Sequence, residues 1–555
     1  MSPNSGSYTA NIVDVLQRRI ASGRVAWRDG VITQVDSNGP EIPGLSYLIP
    51  GFVDAHVHVE SSMLVPSEFA RLAARHGTVA TVSDPHEIAN VLGLEGVRFM
   101  LENARQVPFK MFFGAPSCVP ATPFETAGAT LGLAELETLL REEGLLYLSE
   151  MMNFPAVLAR DPTVMDKIAL AHRLGLPVDG HAPGLMGEQA RRYAAAGIST
   201  DHECMSLDEA RDKLACGMHI LIREGSAARN FDALHPLIAS HPEQVMFCSD
   251  DKHPDELVHG HIDRLAARAV AAGHNAMDVL RCACVNPVRH YHLPVGLLHP
   301  GDPMDAVAVA DLRDFRPLQT WVDGRLIAEA GRSLIASVPV HPLNRFQARK
   351  IAPADLDVPA AASRLRVIDA LDGQLVTHEA LLAPRVEGSN IVPDPERDLL
   401  FLVVLNRYRH APPAVAFVRG FGLRRGAIAS SVAHDSHNLV AVGSDAQTLC
   451  RAVNALVDCG GGISLADEGG VERLPLPVAG LMSGDDGDEV AARYAALNQM
   501  AKALGSPLRA PFMTLSFMAL LVIPELKLSD QGLFDARTFQ FTSLTTPLDS
   551  PTGTG

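Results

Sequence analysis

The sequence predicts an α/β protein centred on a (β/α)8 barrel of the TIM type, with a small discontinuous β domain and a C-terminal α+β domain attached. Three observations predict this. Eight short apolar runs of strand composition follow one another between residues 46 and 251: SYLIPGFVDAHVH, TVATVSD, FKMFFGAPS, GLLYLSE, LPVDGH, GISTDH, HILIRE and VMFCSD. Helically periodic stretches separate them, at 67–76, 90–105, 133–142, 163–174, 187–196, 207–215 and 230–240, several opened by Pro, Asp or Ser. The runs end at or near His58, Asp84, Ser117, Glu150, His181, His202, Arg223 and Asp250. Barrels carry their chemistry at the C-terminal ends of the strands. Polar residues end strands in any fold, but chance does not favour His, Asp and Glu this heavily.

The flanks complete the organisation. Residues 25–45 and 304–327 read as strands on either side of the barrel. They are expected to join in one small β domain formed by 1–49 together with 295–336, leaving 50–294 to the barrel. The Pro/Ala-rich stretch 337–362 reads as a linker. The remaining residues, 363–555, mix strands (LLFLVVLNRY, AVAFVRGF, LVAVGS) with a helix near 446–457, as an α+β domain of ordinary size does.

Composition excludes several classes of function. The 555 residues are 47% hydrophobic and 20% charged, ordinary for a globular enzyme, and the formal net charge is −17. A chain this acidic repels polyanions, so no nucleic-acid or anionic-membrane partner is expected. No apolar run is long enough for a transmembrane helix. The opening stretch MSPNSGSYTANIVDVLQRRI lacks the build of a secretion signal. The eight cysteines form no C-x-x-C pair, as in reduced cytosolic proteins. The expectation is a cytoplasmic enzyme, homo-oligomeric, acting on a small molecule.

Metal-ligand chemistry is concentrated at the strand ends. His56 and His58 lie two apart at the end of the first run, so both imidazoles point the same way and can share an ion. With 22 His in the chain, an H-x-H match arises by chance about once, so placement, not the motif, carries the signal. The pairs His259/His261 and His290/His292 lie away from strand ends and read as solvated or helical. His181 and His202 end consecutive runs, and Glu150 and Asp250 bring the set to four imidazoles and two carboxylates. Six donors exceed one tetrahedral ion and suit two. Mixed N/O ligation leaves zinc, manganese and iron open. Asp84-Pro85-His86-Glu87 is either a helix start capped by Asp84 or part of a pocket. Arg223 and Glu224 either form an internal ion pair or, with Ser226, face a substrate. His434-Asp435-Ser436-His437 reads as packing over the barrel mouth or a subunit contact before a separate metal site.

Longer motifs then add a resemblance. PGFVDAHVHVESSM at 50–63, DPHEIANV at 84–91, EMMNFPAVL at 150–158, DGHAPGL at 179–185, DHE at 201–203, IREGSAARN at 222–230 and CSDDKHP at 248–254 occur in order. Downstream stand GFGLRRGAIASSVAHDSHN at 420–438, LPLPVAGLMS at 474–483 and VIPELKLSDQGLFD at 522–535. Together they cover most of the chain and resemble the bacterial adenine deaminases of the amidohydrolase superfamily. The resemblance implies hydrolytic deamination of adenine to hypoxanthine and ammonia, in purine salvage. It implies two divalent ions, manganese first with iron or zinc as alternatives, held by His56, His58, the bridging Glu150, His181, His202 and Asp250. A hydroxide shared by the ions would attack C6, with Asp250 relaying its proton to the departing ammonia. Glu150, Asp84, Glu203 and Asp251 are the candidates for protonating N1, and His86, Glu87, Arg223, Glu224 and Ser226 are candidates for binding the base. Asp250 and Asp251 are adjacent, so strand alternation predicts that only one faces the ions. The N-terminal β segment is shorter than is usual in such proteins, and MDAVAVADL replaces a more usual ADLVV; neither difference touches a ligand position. Other readings fare worse. The zinc deaminases with an H-x-E…P-C-x-x-C signature require a P-C-x-x-C that is absent. A cyclic-amide hydrolase and a non-catalytic scaffold remain the alternatives.

Overall fold

A computed structural model describes residues 4–360 and 363–547. Eight parallel strands form the barrel: Phe52–Val57, Thr78–Ser83, Lys110–Phe113, Leu148–Met151, Val178–Gly180, Thr200–Asp201, His219–Arg223 and Val245–Cys248. The first three pair in order, as do the fourth with the fifth and the last three among themselves. A bridge from Ala115 to Leu148 joins strands three and four, and one from Val57 to Asp250 closes strand eight on strand one. Strands five and six meet through Ser199 N–H donating to Val178 O at 2.9 Å.

Helices Pro66–Arg75, Pro162–Arg173, Gly187–Ala195 and Leu207–Ala215 lie where periodicity and start signals put them. Two expected helices are each split. The stretch 90–105 breaks at Gly93, whose φ of +62° ends His86–Leu92 before Leu94–Ala104 begins. The stretch 230–240 becomes Phe231–Leu234 and Leu237–Ser240, on either side of His235-Pro236.

The first apolar run is likewise two strands. Tyr47–Pro50 and Phe52–Val57 belong to different sheets. Gly51 is the pivot, because a Cβ there would sit 2.3 Å from the Val79 side chain. Tyr47–Pro50 enters an eight-stranded sheet, pairing parallel with Gly6–Asp14 and antiparallel with Ala306–Val309. The segments before and after the barrel thus share one sheet, sealed by Trp27 and Trp321 edge to face at 6.2 Å.

The C-terminal region is built on a nine-stranded sheet with Ala414–Arg419, Leu400–Leu405 and Leu439–Gly443 as adjacent strands in its interior. Leu400–Leu405 is buried at every position, which its unbroken apolar run requires. Helix Ala446–Cys459 covers the sheet and stops at Gly460, φ +74°. A second helix, Gly487–Ala503, docks on the barrel, with Arg75 paired to Asp488 at 2.9 Å. The stretch read as a linker is fastened along its length. Ser337 Oγ donates to Glu68 at 2.7 Å, Gln347 N–H to Arg407 O at 2.7 Å and Ile351 N–H to Asn454 at 2.9 Å; its last two residues, 361 and 362, lie outside the described residues. No helix among the described residues is long and apolar enough to cross a membrane.

Candidate metal centre and substrate cavity

At the C-terminal mouth of the barrel six side chains converge in two halves. His56 and His58 leave the first strand on the same side, their Nε2 atoms 3.2 Å apart. Both reach Asp250 Oδ1, at 3.5 and 3.3 Å. His181 and His202 face them, following strands five and six. Glu150, at the end of strand four, spans the gap. Its Oε1 is 3.4 Å from His58 Nε2, and its Oε2 is 2.8 Å from His181 Nδ1 and 3.2 Å from His202 Nε2. One carboxylate oxygen per half is the arrangement a bridging ligand needs.

This donor set fits divalent cations. Imidazole nitrogens and carboxylate oxygens, buried and aimed at one another, leave their lone pairs converging on common points. His58 Nδ1–H donates to Asp84 O at 3.2 Å; a carbonyl only accepts, so Nε2 of that ring is the free lone pair. Groupings whose ligand atoms lie mutually close enough for one ion include His56–His58–Asp250, His56–Glu150–His202 and His181–His202–Glu203, and also His58–Asp84–His86–Glu150 and His86–Glu87–Asp435. Glu203 thus stands with the second half as a further donor, 3.4 Å from His202 Nε2 and 3.5 Å from His181 Nδ1.

A buried guanidinium organises the carboxylates. Arg223 Nη1 donates to Asp250 Oδ2 at 2.7 Å and also to Glu203 Oε1, while Nη2 donates to Glu203 Oε2 at 2.9 Å. Burial opposes ionisation of Glu203, but Arg223 and then His181 outweigh it and hold the carboxyl well below its usual range. Asp250 is treated likewise, with Arg223, His56 and His58 overcoming burial. Asp251 differs: burial lifts its carboxyl above the usual range, and it accepts a hydrogen bond from Ser61 Oγ. Both aspartates line the cavity. Asp250 alone of the two stands against the candidate ligand imidazoles, while Asp251 bonds Ser61; the strand ends at Cys248 and Asp250 takes a left-handed φ of +53°. The turn re-aims both side chains toward the mouth, while Asp250 N–H still donates to His56 O at 2.9 Å.

The Asp84–Glu87 turn also enters the site. Asp84 does not cap the following helix. Its carboxylate accepts Ser149 Oγ–H at 2.7 Å and lies 3.1 Å from His86 Nδ1, which is itself 3.5 Å from Glu150 Oε1. Glu87 points up into the C-terminal region, where His434 Nδ1 and His437 Nε2 each bond one of its oxygens. Burial alone would lower the pKa of His434, but Glu87 and Asp251 raise it to about 9. Two expected substrate-binding residues are not brought here. Glu224, on the opposite side of the strand from Arg223, pairs with Arg268 at 2.7 Å. Ser226 donates to Glu256 at 3.2 Å and accepts from His253 N–H at 2.9 Å. Neither lines the cavity.

The C-terminal region roofs the mouth. Leu375, His434, Asp435, Phe517, Leu520 and Ile523 face the barrel residues across the cavity. Sequence reasoning singled out the His434–His437 tetrad as covering the barrel mouth but gave it no place among the site residues. The roof is held from behind by Lys527, fully buried, whose Nζ donates to Leu375 O at 2.6 Å and Phe517 O at 3.1 Å.

Comparisons with known proteins agree with this architecture. The amidohydrolase family model matches residues 47–327 and the adenine deaminase C-terminal domain model matches residues 374–540. The adenine deaminase of Salinibacter ruber is 56% identical over 541 residues, covering 97% of this chain and 99% of its own. That of Methanosarcina mazei is 50% identical over 550 residues, covering 97% and 99%. That of Borreliella burgdorferi is 43% identical over 540 residues, covering 96% and 98%. A TIM-type amidohydrolase barrel carrying this C-terminal domain, with such relatives along nearly its whole length, belongs to the adenine deaminase family.

Proposed function

We propose that this chain hydrolyses adenine to hypoxanthine and ammonia, as a step of purine salvage in the cytoplasm. The observation that carries the proposal is the two-sided cluster at the barrel mouth, with His56, His58 and Asp250 on one side, His181 and His202 on the other, and Glu150 addressing both through separate oxygens. Those six residues would hold two divalent ions, manganese first, with iron or zinc as alternatives. Such ions supply Lewis acidity, which makes hydroxide available near neutral pH. The reading divides the chain into a β domain (1–49 with 295–336), the barrel (50–294) and the C-terminal domain (363–555). Eight unpaired cysteines fit a reducing compartment.

The chain's own residues then manage protons. Asp250 keeps Oδ1 toward the imidazoles and Oδ2 on Arg223, so it is ionised and able to accept the proton of the attacking water. Glu203, clamped by two guanidinium nitrogens, is held as an anion and is the poorer proton donor. Asp251, whose carboxyl burial lifts, is the better donor to N1 as charge develops on the ring. Proton transfer from Asp250 to the leaving amine releases ammonia, and the proton left on the C6 oxygen restores Asp251, which gives hypoxanthine protonated at N1. The apolar roof of Phe517, Leu520 and Ile523 excludes bulk water. Protein loaded with manganese and given adenine should release ammonia in step with hypoxanthine, read by ammonia assay and the ultraviolet change. Ammonia without hypoxanthine, or neither, contradicts the reading.

A further inference from the structure

Among the described residues that line the cavity, one buried carboxylate oxygen has no partner. Asp435 is 4% exposed and lines the cavity from the C-terminal side, yet its Oδ2 has no hydrogen bond. Its other oxygen makes only a long approach, 3.9 Å, to His86 Nε2. A buried acceptor left unsatisfied costs stability, and its retention inside a binding cavity points to a donor arriving with the ligand.

The place of Asp435 says which donor. One imidazole ring, His86, separates it from Glu150: His86 Nδ1 is 3.5 Å from the Glu150 carboxylate and Nε2 faces Asp435. Asp435 is therefore one ring removed from Glu150, on the C-terminal side of the cavity. A purine whose C6 sits at the candidate metal ligands turns its opposite edge to the roof. In adenine that edge carries N3 and, on the five-membered ring, N9–H. The free base thus offers an N–H donor to this side of the cavity; a nucleoside offers a carbon substituent there. The other roof residues are mostly apolar, Phe517, Leu520, Val522 and Ile523, with His434 the one further polar side chain, so a ribose would find few groups to bond with there.

We infer that Asp435 binds the N9–H edge of the base and is the residue that selects free adenine over its N9-substituted forms. This rests on the adenine reading above and deepens it. Sites built to bond a substrate N–H reject analogues lacking it by large factors, roughly 10⁴ or more.

The test compares adenine with 9-methyladenine in wild type, Asp435→Ala and Asp435→Asn, with metal content measured on the same samples. Wild type should prefer adenine by roughly 10⁴-fold or more in kcat/KM. Asp435→Ala should lower kcat/KM for adenine by roughly 10- to 150-fold, mostly through KM, the usual range for a bond to a charged group. It should also shrink the preference over 9-methyladenine, because the bond is lost and room is gained. Asp435→Asn keeps the volume and a carbonyl acceptor and should restore most of both, which a variant that merely misfolds does not. An Asp435→Ala enzyme with unchanged preference overturns the assignment, as does loss of an ion from that variant, which would make Asp435 a metal ligand. A wild type that releases no ammonia from adenine overturns the substrate reading itself, before any variant is compared.

Discussion

Replacing Lys213 by Met should destabilise the barrel severely and loosen the second half of the metal centre. Lys213 is fully buried, and its ammonium lies 2.8 Å from Asp201 Oδ2 and 3.0 Å from Glu209 Oε1 and donates to Ala182 O at 2.7 Å. Asp201 Oδ1 in turn accepts Ala182 N–H at 2.9 Å. Ala182 follows His181 and Asp201 precedes His202, so one ammonium ties together the two loops that present these imidazoles. Burial pushes the Asp201 carboxyl up and Lys213 brings it back below its usual range. Methionine fills the space but strands two carboxylates. Removing one partner of a buried ion pair costs about 3–5 kcal/mol. At about 2–4 °C per kcal/mol for a domain of this size, the barrel transition should fall by roughly 6–20 °C. Scanning calorimetry of metal-free protein reads this without interference from bound ions. The triple variant Lys213→Met/Asp201→Asn/Glu209→Gln, which removes the stranded charges, should recover at least half of the loss. A single variant within about 2 °C of wild type, or a triple variant no better than the single, would refute the electrostatic argument.

Further outcomes follow from the same structure. Asp250→Asn should lower kcat by roughly 10²–10⁴, the span of a general base, whereas Asp251→Asn should keep its metal and lose rate or adenine affinity; near-normal turnover in Asp250→Asn with metal lost from Asp251→Asn reverses the pair. His56→Ala and His181→Ala should each lower the ion count per chain by elemental analysis, and unchanged counts in both would remove them from the ligand set. Burial lowers the Lys527 amine from 10.5 to about 7. The folded state therefore binds fewer protons than the unfolded chain between those values, and wild-type stability gains as pH rises through that window. Against Lys527→Met, the difference in thermal midpoint should move in favour of wild type from pH 7 to 10; a constant difference contradicts the assignment. Free adenine should turn over far faster than adenosine, and comparable rates would mean that the pocket admits a ribose.

What could be read from the sequence follows physical lines. His56 and His58 were legible because a period of two is local and survives any packing. The barrel was legible because each apolar run gives way to a polar residue at or near its end, and several of the helical stretches that follow open on a start signal. That Asp250 and Asp251 both line the cavity was not legible, because a left-handed residue after Cys248 resets the direction of the side chains, and a backbone φ of +53° at a non-glycine leaves no mark in composition. The run 46–58 read as one strand because hydrophobicity does not change at Gly51, where the chain passes from one sheet to another. Glu224 and Ser226 were drawn toward the site by their nearness to Arg223, but the strand carries the neighbouring side chain to the far face. Asp435 was beyond reach. Its role depends on docking the C-terminal region over the barrel, where its neighbour His434 meets Glu87 across 347 residues of chain.

Two ions held by this constellation, and not one, should be needed for adenine hydrolysis. Titrating manganese into metal-free protein while following ammonia release from adenine tests it most directly. Activity should rise to a plateau that breaks at two ions per chain, with hypoxanthine as the product. A break at one ion, or full activity in the metal-free protein, would contradict the account.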